Sequence, residues 1–300
     1  MSAHARVLPD GRRLHLQHGP IDLIIEAWGE RTEVEAAYGQ AIAYFEPLLE
    51  TLVRDLPTLR RPVGPDDPEL SGPVAARMVR AAMRHRGVFV TPMAAVAGAV
   101  ADAVLAAMLA GRRLDRAYVN DGGDIALHLS QGQHFKVGAI TRLDSPAIDA
   151  VARIEYTSPV RGIATSGQGG RSFSFGIADA VTVLADDAAA ADVAATLIAN
   201  AVSCEAPTIE RAPASSRDAD SDLGDRLVVV RVGHLSRSEI AAALTHGAAE
   251  AERMRRRGLI EAAFLALRGH ARVVGGSACP SLTAAPLTAA PLTAAPLPAA

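Results

Sequence analysis

Three features of this sequence point to an α+β fold in which an antiparallel or mixed sheet is covered by helices. Apolar residues alternate with polar ones in short runs joined by turn signals, as at Leu14, Leu16, Ile21, Leu23 and Ile25 after Asp10-Gly11. That is the pattern of strands joined by hairpins. Helical stretches fall between these runs irregularly rather than once per strand, which argues against a doubly wound parallel sheet. The chain has 300 residues, of which 49% are hydrophobic, enough for a substantial core.

In chain order, residues 5–28 open the molecule as a hairpin. Thr32 and Glu35 have the spacing of a capping box for a first helix, which runs to about Leu56 with Pro47 inside it as a kink or break. Residues 57–72, rich in proline and aspartate, form a loop. A second helix spans about Pro73 to Arg86 and stops at Gly87. Val88 to Val90 reads as a short strand. Thr91 and Pro92 then supply the cap and first position of a third helix, MAAVAGAVADAVLAAMLA, ended by Gly111. Its small residues let another element approach closely, and Asp102 inside it favours a buried helix over a membrane span.

Strands follow at Ala117–Val119, Ile125–Leu129 and Phe135–Ile140, with a loop over 141–150. Further strands lie near 151–157 and 172–184, and an alanine-rich helix near 188–203. Residues 205–225 are polar and read as a mobile loop. Leu227–Val232 is a strand, and Ser236 with Glu239 opens a helix to Arg257. A last helix covers about 259–268. From residue 275 the chain repeats LTAAP, a composition that buries no core. The expected organisation is one domain over 1–274 and a disordered Ala/Pro-rich tail over 275–300.

The formal net charge of −3 gives no field to recruit nucleic acid or an acidic membrane. Two cysteines, Cys204 and Cys279, imply neither a disulfide framework nor a zinc site. The N-terminal residues carry no apolar signal-peptide core. A cytoplasmic protein is the expectation. Nine histidines form no HExxH or Cys/His cluster, and no GxSxG elbow is present.

Three segments carry candidate chemistry. Asn120-Asp121-Gly122-Gly123-Asp124 places two glycines between strands, where backbone can approach a ligand closely; the same residues also make an ordinary Asx turn. Thr165-Ser166-Gly167 through Arg171 offers hydroxyls, backbone N–H groups and a guanidinium to an anion or a polar ring edge; it is equally a glycine-rich hairpin turn, and it is not a P-loop. Asp192 and Thr196, four residues apart, share one face of a helix. A carboxylate and a hydroxyl so placed can begin a site for a hard cation such as Mg²⁺, or can be solvated residues on an amphipathic helix.

The order N-D-G-G-D-I, then G-I-A-T-S-G, then V-T-V-L-A, then A-D-x-A-A-T resembles the ApbE superfamily of FAD:protein FMN transferases, over roughly Phe89 to Asn200. The whole chain is most similar to its cytosolic UPF0280 branch. The resemblance implies an ApbE-like, T-fold-related architecture. It implies Mg²⁺ on Asp192 and Thr196, with a main-chain carbonyl from the 92–95 region as a third donor. It places FAD or FMN, as ligand or substrate, against Asn120, Gly122, Gly123, Asp124, Thr165, Ser166 and Gly167. In such transferases a threonine of an acceptor protein attacks the FMN phosphorus and AMP leaves. The chain departs from the family where H-I-I-D-P-x-T-G follows the second turn, running R-S-F-S-F-G-I-A-D instead, and Ala97-Gly98 stands where the family has Lys-Gly. No catalytic residue is assigned by the resemblance. These departures keep two alternatives in view: a cytosolic coenzyme-pathway enzyme using the cleft for another heterocycle such as a pterin, and a non-catalytic flavin-binding module. The alanine-rich helices are compatible with a homo-oligomer in each case.

Overall fold

A computed structural model describes residues 2–64, 68–140, 148–170, 172–275 and 282–284. Strands β1 (His4–Val7), β2 (Leu14–His18) and β3 (Ile21–Gly29) form a meander, followed by helices α1 (Arg31–Phe45), α2 (Leu48–Leu59), α3 (Pro73–Met83) and α4 (Val96–Leu109). Then come β4 (Leu114–Asp121), β5 (Asp124–Leu129), β6 (His134–Ile140), β7 (Ile148–Glu155), β8 (Gly162–Ser166) and β9 (Ala180–Ala185). Helix α5 (Ala188–Ala201) leads to β10 (Ile209–Pro213), β11 (Leu227–Val232), α6 (Arg237–Arg256), β12 (Ala262–Leu267), β13 (His270–Val274) and β14 (Leu282–Ala284).

Nine strands build the main sheet in the order β1-β2-β3-β4-β5-β8-β9-β12-β13. Every pairing in it is antiparallel, which resolves the antiparallel-or-mixed alternative. One face carries Ala164, Val181, Val183, Ala263 and Leu265 and packs on α5 and α6. The opposite face carries Ile163, Leu184, Ala262 and Phe264 and packs on Phe135, Ala152 and Ile154 of the β6–β7 hairpin. Strands β9 and β12 are therefore buried along their whole length. Helix α4 lies between α1, α5 and the sheet. Residues Pro92–Leu109 are long and apolar enough to cross a membrane by length and composition, and here they pack in the core.

The alanine-rich third helix does permit close approach. A Cβ on Gly98 would lie 2.3 Å from the Ala188 carbonyl oxygen, so α4 and the start of α5 touch backbone to backbone. Asp102 of α4 accepts bonds from the Ala188 and Ala189 amides at 3.1 and 3.0 Å. It thereby satisfies two amide donors at the start of α5, beside Asp187, whose side chain accepts from Ala190 N.

Several expected elements differ. Pro47 splits the first helix into α1 and α2. The box at Thr32 and Glu35 does not form: the chain enters α1 one residue earlier, Thr32 turns its hydroxyl to Glu30, and Glu35 pairs with Arg31 at 2.7 Å. Val88–Val90 is not a strand; Val90 accepts one bond, from the Val63 amide. Thr91 caps nothing with its side chain, which goes to Asp222, and Pro92–Ala95 is a 3₁₀ turn leading into α4.

The run 172–184 is strand only from Ala180, because Gly176 is pressed against the Ala199 carbonyl, where a Cβ would come within 2.0 Å. The polar stretch 205–225 contains β10, paired with β11, so it is not simply a mobile loop. Residues 259–268 hold β12 rather than a helix: its continuous apolar run suits a strand buried on both faces as well as it suits a helix. The box at Ser236 and Glu239 forms as expected. Strand β7 begins inside the expected 141–150 loop, of which 141–147 lie outside the described residues. Of the tail, only 275 and 282–284 are described; 282–284 pair with β7.

Candidate functional site

The Asn120–Asp124 turn joins β4 to β5, and both its glycines adopt left-handed conformations, φ +63° at Gly122 and +116° at Gly123. Asn120 Oδ1 accepts from the Gly123 amide at 2.8 Å, which fixes the turn. Residues of the turn line two cavities.

One is a cavity of about 440 Å³ lined by Asn120, Gly122, Gly123, Thr165, Ser166 and Thr182, among others. Ile125, Ile163, Leu184 and Val137 make it largely apolar, the usual character of a small-molecule site. Thr165 and Ser166 end strand β8 rather than sitting in a free turn, and the Thr165 and Thr182 hydroxyls share a 2.9 Å bond across the β8–β9 pair. Gly167 is buried behind the rim with φ +139°; a Cβ there would lie 2.7 Å from the Asp179 carbonyl oxygen. Arg171 lies outside the described residues.

The other is a cavity of about 400 Å³ that Asp124, Asp192 and Thr196 line together with Thr91, Met93, Ala94 and Ala97. The i, i+4 pair thus faces the 3₁₀ turn before α4. Asp192 Oδ2 accepts from the Gly98 amide at 3.1 Å. Burial raises the Asp192 carboxyl to about 7; the Gly98 amide opposes that, and the charge on buried Asp121 adds to it. Burial and the charge on Asp187 likewise raise Asp102 to about 6, against its bonds to the α5 amides.

A cation would compensate this concentration of negative charge. Among the described residues no group of three or more His, Cys, Asp or Glu side chains is placed to hold a metal. The described lining of this cavity holds no His or Cys, so its side-chain donors are oxygens. One carboxylate and one hydroxyl do suit Mg²⁺, which keeps several waters and takes further oxygens from substrate phosphates.

Residues that the sequence reading did not single out complete the second cavity: Arg60, Phe89, Phe173, Phe175, Asn200 and Asp222. Phe173 and Phe175 were hidden in a run that reads as a strand. Asp222 lies in a stretch that reads as a loop, and its bond to Thr91 spans the sequence from 91 to 222, beyond the reach of any local pattern. Thr182 and Asp179 join the first cavity in the same way.

A family model described as AbpE bacteria matches residues 5–273. The chain is 38% identical to a UPF0280 protein of Methanothrix thermoacetophila over 178 residues, 58% of this chain and 68% of that protein. It is 37% identical to a UPF0280 protein of Methanosphaerula palustris, over 58% and 70% of the two chains. Among solved structures, the apo form of Pseudomonas stutzeri flavinyl transferase ApbE aligns with a TM-score of 0.44 and 13% identity, over 91% of this chain and 93% of that one.

Proposed function

The chain belongs to the AbpE bacteria family, and we propose that it binds a flavin nucleotide with Mg²⁺ and divides FAD between its two phosphates. The observation that carries this reading is that one glycine turn contributes to two cavities. Asp192 and Thr196 line one, and the other is an apolar, hydroxyl-rimmed pocket. A ring in the first cavity puts the phosphates attached to it beside the turn and within the reach of the second.

The residues divide the work as follows. Ile125, Ile163, Leu184 and Val137 hold the ring by apolar contact, and Asn120, Thr165 and Thr182 fix the position of the pocket's polar rim. The paired glycines admit the phosphate chain close to the backbone. Asp192 and Thr196 would hold Mg²⁺, which when bound neutralises charge on the pyrophosphate and makes AMP a better leaving group. Arg60 is a second cation on the same cavity. The bond broken is that between the FMN phosphorus and the bridging oxygen, which leaves on AMP. The bond formed joins that phosphorus to an acceptor oxygen, a protein hydroxyl or water, whose proton passes to solvent.

The test is a fluorescence titration of FAD with and without Mg²⁺, with AMP and FMN quantified in the mixture. The reading requires Mg²⁺-dependent binding and AMP release in the native protein, and loss of both in Asp192→Asn. Unchanged FAD and Mg²⁺ binding in that variant would overturn the metal assignment, and no FAD binding by the native protein would overturn the flavin assignment.

A further inference from the structure

We propose that the outer edge of β7 is a docking site for the segment Leu-Thr-Ala-Ala, and that the three copies of this segment near the C-terminus of the chain are interchangeable occupants of it. The inference goes beyond the reading above and does not depend on what either cavity binds.

One copy is already seated. Strand β14 pairs antiparallel with β7 in the register Leu282–Ala152, Thr283–Val151 and Ala284–Ala150, while β6 holds the opposite edge of β7. Strand β14 also touches β13, the last strand of the main sheet. Without β14, β6 and β7 would be a two-stranded hairpin with a bare row of amides and carbonyls, a pairing that is marginal in water. Ala152 is buried and, with Val137 and Gly138, walls the first cavity. The docked strand therefore completes the small sheet from which that wall is built.

The sequence repeats the occupant. Leu-Thr-Ala-Ala-Pro stands at 282–286, again at 287–291 and again at 292–296. A strand added to a sheet edge is held by main-chain hydrogen bonds, and its alternate side chains select the register. Both are the same in every copy. Proline closes each repeat; it has no N–H and cannot donate to a ladder. Each repeat thus offers one short strand, and the three do not join into a long one.

What distinguishes the copies is the length of chain between residue 275 and each leucine. The cost of closing a loop rises only with the logarithm of its length, so moving from the first copy to the second or third weakens docking by only about two- to fourfold. The first copy is the favoured occupant, in agreement with the β14 pairing, and the others stand in when it is displaced. A segment on the same chain meets its own sheet edge at an effective concentration of order millimolar, far above that of a second copy's tail in a micromolar solution.

The experiment is hydrogen exchange, read by mass spectrometry on peptides covering Ile148–Glu155, in the full chain and two variants. The first variant, Thr283→Pro with Ala284→Pro, disables one copy, because one of any two neighbouring amides faces the partner strand. The second adds Thr288→Pro, Ala289→Pro, Thr293→Pro and Ala294→Pro, which disables all three. The expected result is β7 protection within about fourfold of native in the first variant and a loss of about tenfold or more in the second. A synthetic peptide of two Leu-Thr-Ala-Ala-Pro repeats, at millimolar concentration, should restore protection to the second variant. Native protection in the second variant, or a loss that the peptide does not reverse, would overturn the docking site. Equal losses in both variants would overturn the interchange of copies. Protection in the native chain that rises with protein concentration would give the edge to a second copy's tail and overturn docking within one chain.

Discussion

The Gly98 amide donates to the Asp192 carboxylate at 3.1 Å, and the same glycine meets the Ala188 carbonyl so closely that a Cβ would stand 2.3 Å from its oxygen. One residue therefore sets both the spacing of α4 from α5 and the position of a candidate cation ligand. The contact is with backbone, which cannot rotate away.

Gly98→Ala is accordingly expected to destabilise the protein by about 1–3 kcal/mol or more, the cost of overpacking a rigid contact, and to weaken Mg²⁺-dependent ligand binding as Asp192 shifts. Calorimetric melting checks the first effect; a native melting temperature in the variant would mean the helices can separate freely.

Asp192→Asn keeps the size of the side chain and removes its charge. The enhancement of FAD binding by Mg²⁺ should vanish. Thr196→Val, which removes a neutral donor oxygen, should reduce it by about tenfold, since one lost ligand to a hard cation is partly replaced by water. Titration of Mg²⁺ at fixed FAD reads both; equal, native-like curves would rule the pair out as ligands.

Thr182→Val removes the buried hydroxyl that shares a 2.9 Å cross-strand bond with the exposed Thr165. A stability loss of about 1 kcal/mol is expected, with FMN affinity falling several-fold whether or not Mg²⁺ is present. Dependence of that loss on Mg²⁺ would place Thr182 with the phosphate-binding side instead.

His85 offers a pH readout. It is buried at the end of α3, and burial, then the charges of Arg257 and Arg84, lower its imidazole to about 4 from 6.5. The unfolded chain takes up this proton first, so the stability tied to neutral His85 is present above pH 6.5 and is lost as pH falls toward 4. Asp102 and Asp192, raised to about 6 and about 7, act oppositely, and their contribution falls as pH rises from about 4. The difference between native protein and His85→Gln isolates the histidine. The variant should lose less stability between pH 7 and pH 5, by on the order of 2 kcal/mol, read by denaturant titration at each pH. Parallel curves would show that His85 is not held neutral by the fold.

Much of this arrangement can be read from residue order because it is local. Ser236 and Glu239 form their capping box, the paired glycines make the tight turn, and Asp192 with Thr196 shares a helix face. What escaped is set by contacts distant in sequence. Ala262–Leu267 becomes a strand because both faces are covered, one by α6 and the other by the β6–β7 hairpin, and an apolar run does not announce that. Thr91 gives up its capping role to Asp222, and Phe173 and Phe175 leave the strand pattern because Gly176 docks on α5.

The β6–β7 hairpin has one more implication. Strands β5 and β8 pair directly through Ile125–Ile163 and Ala126–Gly162, so everything between them is an excursion from the sheet. That excursion returns to supply Val137, Gly138 and Ala152 to the wall of the first cavity. The first cavity is thus lined from two sources: the main sheet supplies Ile125, Ile163, Thr182 and Leu184, and the hairpin closes over them, so a change confined to the hairpin alters the cavity without touching a sheet pairing.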